Sequence, residues 1–213
     1  MQNHLKDELH NIISGKSQVR FGAIIQTIAS YLENGQNSSP ETEDAKQVRK
    51  EETKRLAEFI SKNNLFINDI DFSQYVSEGA EQRVYLKDSD HVFKLNDAIY
   101  YSSWRDYFYN LLLHNFFFQD TAYELLGFTK ENETLYAVVK QSYVIITQVT
   151  DLSKVKTFLT SNGFVNNRNN DYVNPDLGII LEDLHDENVL TRNNILYFID
   201  TVFYMTEKFW IQE

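Results

Sequence analysis

Apolar residues recur at helical spacing through the first third of the chain and at strand spacing after it. Leu5, Leu9, Ile12 and Ile13 fall three or four apart, and beyond Gly15 the residues Val19, Ala23, Ile24, Ile28 and Leu32 resume that period. Residues 4–34 are therefore predicted helical, with an interruption near the glycine. The stretch NGQNSSP, Asn34–Pro40, is a loop by composition. Ser39 suits the N-cap of a further helix, with Pro40 in its first turn and Glu41, Glu43 and Asp44 near the positive end of its dipole. Ala45, Val48, Leu56, Phe59 and Ile60 form the stripe of that helix to about Lys62. The mixed charges of Arg49–Arg55 read as its solvated face.

The period then changes. Phe72–Val76, Gln82–Leu86 and His91–Leu95 have the aromatic and β-branched content of strands. Ser77–Glu81 is a turn between the first two, with Gly79 at its centre. Ala98–Phe118 is predicted as one helix, dense in aromatics and leucine, on whose wheel Trp104, Phe108, Leu111, Leu112 and Asn115 fall close together. Tyr123–Phe128 and Leu135–Val139 read as strands around a polar turn, and Val144–Thr147 as a third short one. Asp151 caps a helix to Thr160 that stops near Gly163. Asn166–Asn174 is asparagine-rich and reads as a loop, with Tyr172-Val173 a possible short strand. Leu181–Asp200 then reads as strand, loop, strand, strand.

Composition narrows the setting. A chain of 213 residues, 42% apolar, is long enough to bury a real core. It has no cysteine, which excludes a disulfide framework and thiolate chemistry and fits a reducing cytoplasm. No uncharged apolar run is long enough to span a membrane, and MQNHLKDELH is too polar for a secretory signal. A net charge of −11 argues against general nucleic-acid binding, which draws on excess Lys and Arg.

The candidate chemistry lies in LEDLHDENVLTRNNILYFID. Asp183 and Asn188 have the D-x-x-x-x-N spacing of a kinase catalytic loop, and Asp200 closes an apolar strand at the distance of a metal-binding aspartate. Phosphoryl transfer asks for a carboxylate beside the attacking hydroxyl and for oxygen ligands to magnesium. Taken alone, the same residues are also turn formers between short strands. Upstream, Lys94 sits on a short strand, where a solvent-facing side chain and a phosphate-binding one are both open readings. His114 reads as a packing or capping residue. Metal-dependent phosphohydrolysis around His185-Asp186 would need further histidines at ligand spacing, and the chain's five do not supply them.

EGAEQRVYL, VFKL, the LLLHN helix, LYAVVKQ, DLHDENVL and YFID occur in kinase-like order. DLHDENVL resembles the D-L-H-x-x-N loop of aminoglycoside phosphotransferase-like enzymes. The run from about Val76 to Phe203 resembles the compact kinase domain of bacterial and phage polyvalent proteins, and the helical lead-in is similar to that group as well. The resemblance implies an α+β, protein-kinase-like fold. Residues 1–66 would form an N-terminal helical extension, 67–141 an antiparallel-sheet N-lobe, and 142–213 a very small C-lobe. It implies ATP and magnesium as cofactors and a hydroxyl of a protein or small molecule as acceptor. By position Asp183 resembles the catalytic base, Asn188 and Asp200 the metal ligands, and Lys94 the phosphate-binding lysine. Gly79 falls in the phosphate loop and Gln141 and Ser142 at the adenine hinge, while His185 looks like an orienting residue. Three features depart from the pattern. The glycine loop is sparse, no glutamate occurs between Lys94 and Asp120, and Asp200 is followed by Thr201-Val202 rather than Phe-Gly. The alternative these departures raise is a kinase-shaped nucleotide-binding or protein-interaction module without turnover.

Overall fold

The computed structural model describes residues 2–34, 45–68, 70–79 and 82–211. The expected cap at Ser39 and Pro40 lies outside them. The first helical stretch divides into α1, Gln2–Ile13, and α2, Gly22–Glu33. The break comes at Gly15, whose φ of 75° few side chains tolerate. Helix α3 spans Ala45–Lys62.

Five antiparallel strands follow: β1 Tyr75–Glu78, β2 Gln82–Leu86, β3 His91–Asn96, β4 Glu124–Glu131 and β5 Thr134–Ser142. They form one sheet in the order β1-β2-β3-β5-β4. Between β3 and β4 lies α4, Trp104–Phe117, shorter at its start than its composition predicts. The Asn96 and Asp97 carboxamide and carboxylate accept from Ala98 and Ile99 N–H, and Ala98 takes a φ of 57°. These local bonds compete with helix, and Ser103 caps α4 instead through the Asp106 N–H.

The second half is mostly short strands. Helix α5, Leu152–Ser161, starts at its Asp151 cap as predicted. The asparagine-rich segment is a hairpin rather than a loop, made of β6 Val165–Arg168 and β7 Asp171–Asn174. The Asn166 amide donates to the Asn169 and Asp171 carbonyls across its turn. Val144–Thr147 forms no strand. Strands β8 Ile179–Glu182, β9 Val189–Arg192, β10 Ile195–Phe198 and β11 Val202–Met205 precede a last short helix, α6 Glu207–Trp210. Strand β11 returns to the β6-β7-β8 hairpins to complete a sheet of order β11-β8-β7-β6, while β9 and β10 pair separately.

One apolar cluster joins the pieces. It runs from Leu9 and Leu32 in the first helices through Trp104, Phe108 and Leu112 of α4 to Leu181 and Phe209. Helix α4 is buried nearly all round, so its apolar residues extend well beyond the face that carries Trp104, Phe108 and Leu111. Among the described residues, no helix is long and apolar enough to cross a membrane.

Candidate active site

A cleft of about 510 Å³ lies between the five-stranded sheet and the β8–β11 region. Strand periodicity puts Val92 and Lys94 of β3 on one face, and Val84 of β2 pairs directly with Lys94. All three line the cleft, together with Gly79 from the β1–β2 turn. The far wall carries Asp183, Asn188 and Asp200. Gln141, Ser142, Tyr143 and Val144 line it where β5 ends.

The loop between β8 and β9 is tied around Asp183. This residue has a left-handed φ of 66°, which aspartate tolerates better than most, and its N–H donates to the Asp171 carboxylate at 3.1 Å. The Asn188 amide donates to Asp183 Oδ2 at 2.7 Å and to the Asp183 carbonyl at 2.9 Å. His185 Nε2 lies 3.3 Å from Asp183 Oδ1, while its Nδ1 accepts from the Glu187 N–H. The Asn188 amide nitrogen also lies 3.1 Å from His185 Nε2, so the three side chains form one cluster. Asp183 is held on both oxygens and stays accessible, its side chain 57% exposed.

Asp200 reaches the same place by backbone pairing. The Asn188 carbonyl accepts from both the Ile199 and Asp200 N–H groups. One residue later β11 begins, with Val202 opposite Glu182 of β8. Asp183 and Asp200 thus extend from neighbouring ends of one antiparallel ladder. Gln82, first residue of β2, donates its amide to Asp200 Oδ2 and ties the β1–β2 hairpin to this wall.

Lys94 crosses from the opposite wall. It is buried, donates to the Ile199 carbonyl at 2.7 Å, and lies 5.5 Å from the Tyr123 ring centroid. Burial pushes its pKa below the usual lysine value, and the Asp200 charge opposes that shift. Among the described residues no helix glutamate pairs with it. Helix α4 instead engages the segment after Asp200: His114 Nδ1 meets the Thr201 hydroxyl, and the Asn110 side chain accepts from the Phe203 N–H. Asp106 turns to its own helix start, bonded to Ser103.

Gly79, Lys94, Gln141, Ser142, Asp183, His185, Asn188 and Asp200 therefore gather along one cleft, although Lys94 and Asp200 stand on opposite halves of the chain. Ser142 contributes less than its position suggests, since its hydroxyl donates away to the Asp120 carbonyl. Sequence reasoning missed Gln82, Thr201, Tyr123 and Glu52. The last, on α3, accepts from the Trp104 and Arg105 N–H groups at the start of α4. Its signal was a carboxylate on the apolar side of an otherwise charged helix. Among the described residues no three His, Asp or Glu side chains form a ready metal cage.

A small antiparallel sheet with a crossing lysine, one inserted helix, and a D-x-x-x-x-N loop backed by a second aspartate define a kinase-like protein. The chain belongs to the family of Serine/Threonine/Tyrosine kinases found in polyvalent proteins, whose model matches residues 49–207. That match takes in α3 from Arg49 onward. No curated protein and no solved structure matches the chain.

Proposed function

We propose that the chain transfers the γ-phosphate of ATP, with magnesium, to a hydroxyl of a protein or small molecule. The observation that carries this reading is the meeting of Lys94, Asp183, Asn188 and Asp200 in one cleft. The acceptor oxygen would bond to the γ-phosphorus as the bond to the β-phosphate oxygen breaks, releasing ADP. Asp183 would orient the hydroxyl and take its proton. His185 and Asn188, which hold the carboxylate, set its direction. Lys94 would bind the α- and β-phosphates as a point charge.

Asn188 and Asp200 supply an amide oxygen and a carboxylate, the hard donors magnesium prefers, and one or two such groups suffice when phosphates and water complete the shell. A bound magnesium ion would offset phosphate charge. Among the described residues no atom outside the chain neighbours of Gly79 lies within 4 Å of where its Cβ would sit, while its own N–H donates to the Gln82 carbonyl at 3.0 Å. Among the described residues the helix–lysine pair of other kinases has no counterpart. Its task of holding the lysine falls to the Ile199 carbonyl and the Tyr123 ring.

The test combines thermal shift with phosphate transfer from radiolabelled ATP. Magnesium-ATP should raise the melting temperature of the parent protein. Asp183→Asn should keep that shift and lose transfer, and Asp200→Ala should weaken the shift itself. A shift without transfer to any protein or small hydroxyl compound, autophosphorylation included, would leave a nucleotide-binding module. No shift with any nucleoside triphosphate would overturn the reading.

A further inference from the structure

Gln82 reaches across the cleft to the proposed metal ligand. It opens β2 two residues before Val84, so the two side chains share a face, and Val84 stands opposite Lys94. All three line the cleft. The Gln82 amide donates to Asp200 Oδ2, 118 residues along the chain. A carboxylate accepts, so the amide turns its nitrogen to it. Among the described residues no other group donates a hydrogen bond to this carboxylate, and Oδ1 is left open. The main chain of Asp200 is fixed separately: its N–H donates to the Asn188 carbonyl, and Lys94 holds the Ile199 carbonyl beside it. Those bonds place the Cα, and Gln82 sets the turn of the carboxylate. The Gln82 backbone carbonyl also accepts from the Gly79 N–H, so one residue closes the β1–β2 turn and reaches the far wall. Strand β1 is exposed along its length, and its packing holds the turn only weakly.

We propose that Gln82 is a positioning residue for magnesium: it holds the Asp200 carboxylate by Oδ2, leaving Oδ1 for the ion, and through the same bond it ties the β1–β2 hairpin to the metal site. This rests on the magnesium role proposed above for Asp200. A carboxylate that turns freely gives up that freedom when it takes a metal, whereas one already held by a donor has little left to lose. A bond that orients a ligand typically changes metal affinity by about ten- to a hundredfold. An amide suits the task. It carries no charge, so it orients the carboxylate without offsetting the negative charge that attracts the cation, as a lysine in its place would.

The experiment titrates magnesium against ATP binding in the full chain, for the parent, Gln82→Met and Asp200→Ala. Gln82→Met keeps the length of the side chain and removes the donor. The magnesium concentration that gives half the gain in ATP affinity should rise about tenfold in Gln82→Met. ATP affinity without magnesium should stay within about twofold of the parent. A second readout needs neither ion nor nucleotide. Hydrogen exchange at the Gly79 N–H should quicken in Gln82→Met and in Asp200→Ala, and no further in the double variant, because both changes break one bond. Should Gln82→Met fail to fold by thermal melt, Gln82→Asn, whose amide is one methylene short, is read in the same way. An unchanged magnesium requirement, or an equal loss with and without the ion, would overturn the role of Gln82 while Asp200→Ala still lost its magnesium dependence. Unchanged exchange at Gly79 would overturn the tie to the hairpin. Should Asp200→Ala keep the magnesium dependence of the parent, the metal reading of Asp200 falls and this inference with it.

Discussion

The hydroxyl of Thr201 donates to His114 Nδ1 at 2.7 Å, linking the inserted helix to the residue that follows Asp200. The direction is set by the other ring nitrogen: Nε2 faces the Thr121 carbonyl at 3.0 Å and must carry the proton. Helix α4 therefore supports the proposed metal ligand, where other kinases use the same helix to support the lysine. Thr201→Val keeps the shape and removes the donor, leaving a buried nitrogen unpaired. Unfolding in urea should show a loss of about 1–3 kcal/mol. Magnesium-dependent ATP affinity should fall more than magnesium-free affinity. An equal fall in both would assign Thr201 to stability alone.

His114 should also shape the response to acid. Burial pushes its pKa from 6.5 to about 3, against the hydrogen bond it donates to the Thr121 carbonyl, with the Lys94 charge adding to the fall. The unfolded chain takes up this proton below pH 6.5, the folded chain only near 3. The unfolded state thus binds more protons between those values, and stability drops as pH falls through that window. Urea titrations from pH 7 to 4 should show a slope approaching one proton, amounting to about 3 kcal/mol at the acid end. His114→Gln should be less stable at pH 7 and lack that slope. An unchanged slope would remove His114 as its source.

Glu52 joins α3 to the start of α4. Its carboxylate accepts from the Trp104 N–H at 2.7 Å, from the Arg105 N–H at 3.3 Å and from Arg105 Nε at 2.9 Å. Burial raises its pKa, and Arg105 and the two backbone donors oppose the rise. Glu52→Ala would strand three donors and should cost about 3 kcal/mol. The denaturation midpoint should fall at constant slope. A change below about 0.5 kcal/mol would mean that α3 does not hold the helix through this carboxylate.

Gly178 shows how close the last helix sits. Its φ is 70°, and a Cβ there would lie 2.4 Å from the Phe209 nitrogen. Its carbonyl accepts from both the N–H and the hydroxyl of Thr206. Gly178→Ala should destabilise by about 2 kcal/mol or more, from dihedral strain and displacement of α6. Calorimetry that finds the variant as stable as the parent would show that α6 moves aside freely.

The legible features of the sequence were the local ones. Asp183 and Asn188 sit five residues apart on one loop, so their spacing reports their geometry directly. The strands between Gln82 and Ser142 carry enough aromatic and β-branched residues to be drawn before the fold is seen. Gln82, Thr201 and Glu52 act on residues far along the chain, and nothing near them in sequence announces the partner. Asn110, His114 and Asn115 were a signal of another kind. Polar residues inside an apolar helix must find partners when buried, and all three do. Strand β11 escaped notice because four residues without alternation carry no period.

A single residue, Thr201, separates Asp200 from β11. Many enzymes of this kind are switched by a long flexible stretch at that point, which ordering turns on and disorder turns off. Here there is nothing to order: moving Asp200 away from Asp183 means sliding β11 along β8 and breaking several backbone pairs together. On the phosphotransfer reading, the proposed arrangement of Asp183 and Asp200 should stand assembled from the moment the chain folds, and restraint would lie in which hydroxyl is allowed to reach it.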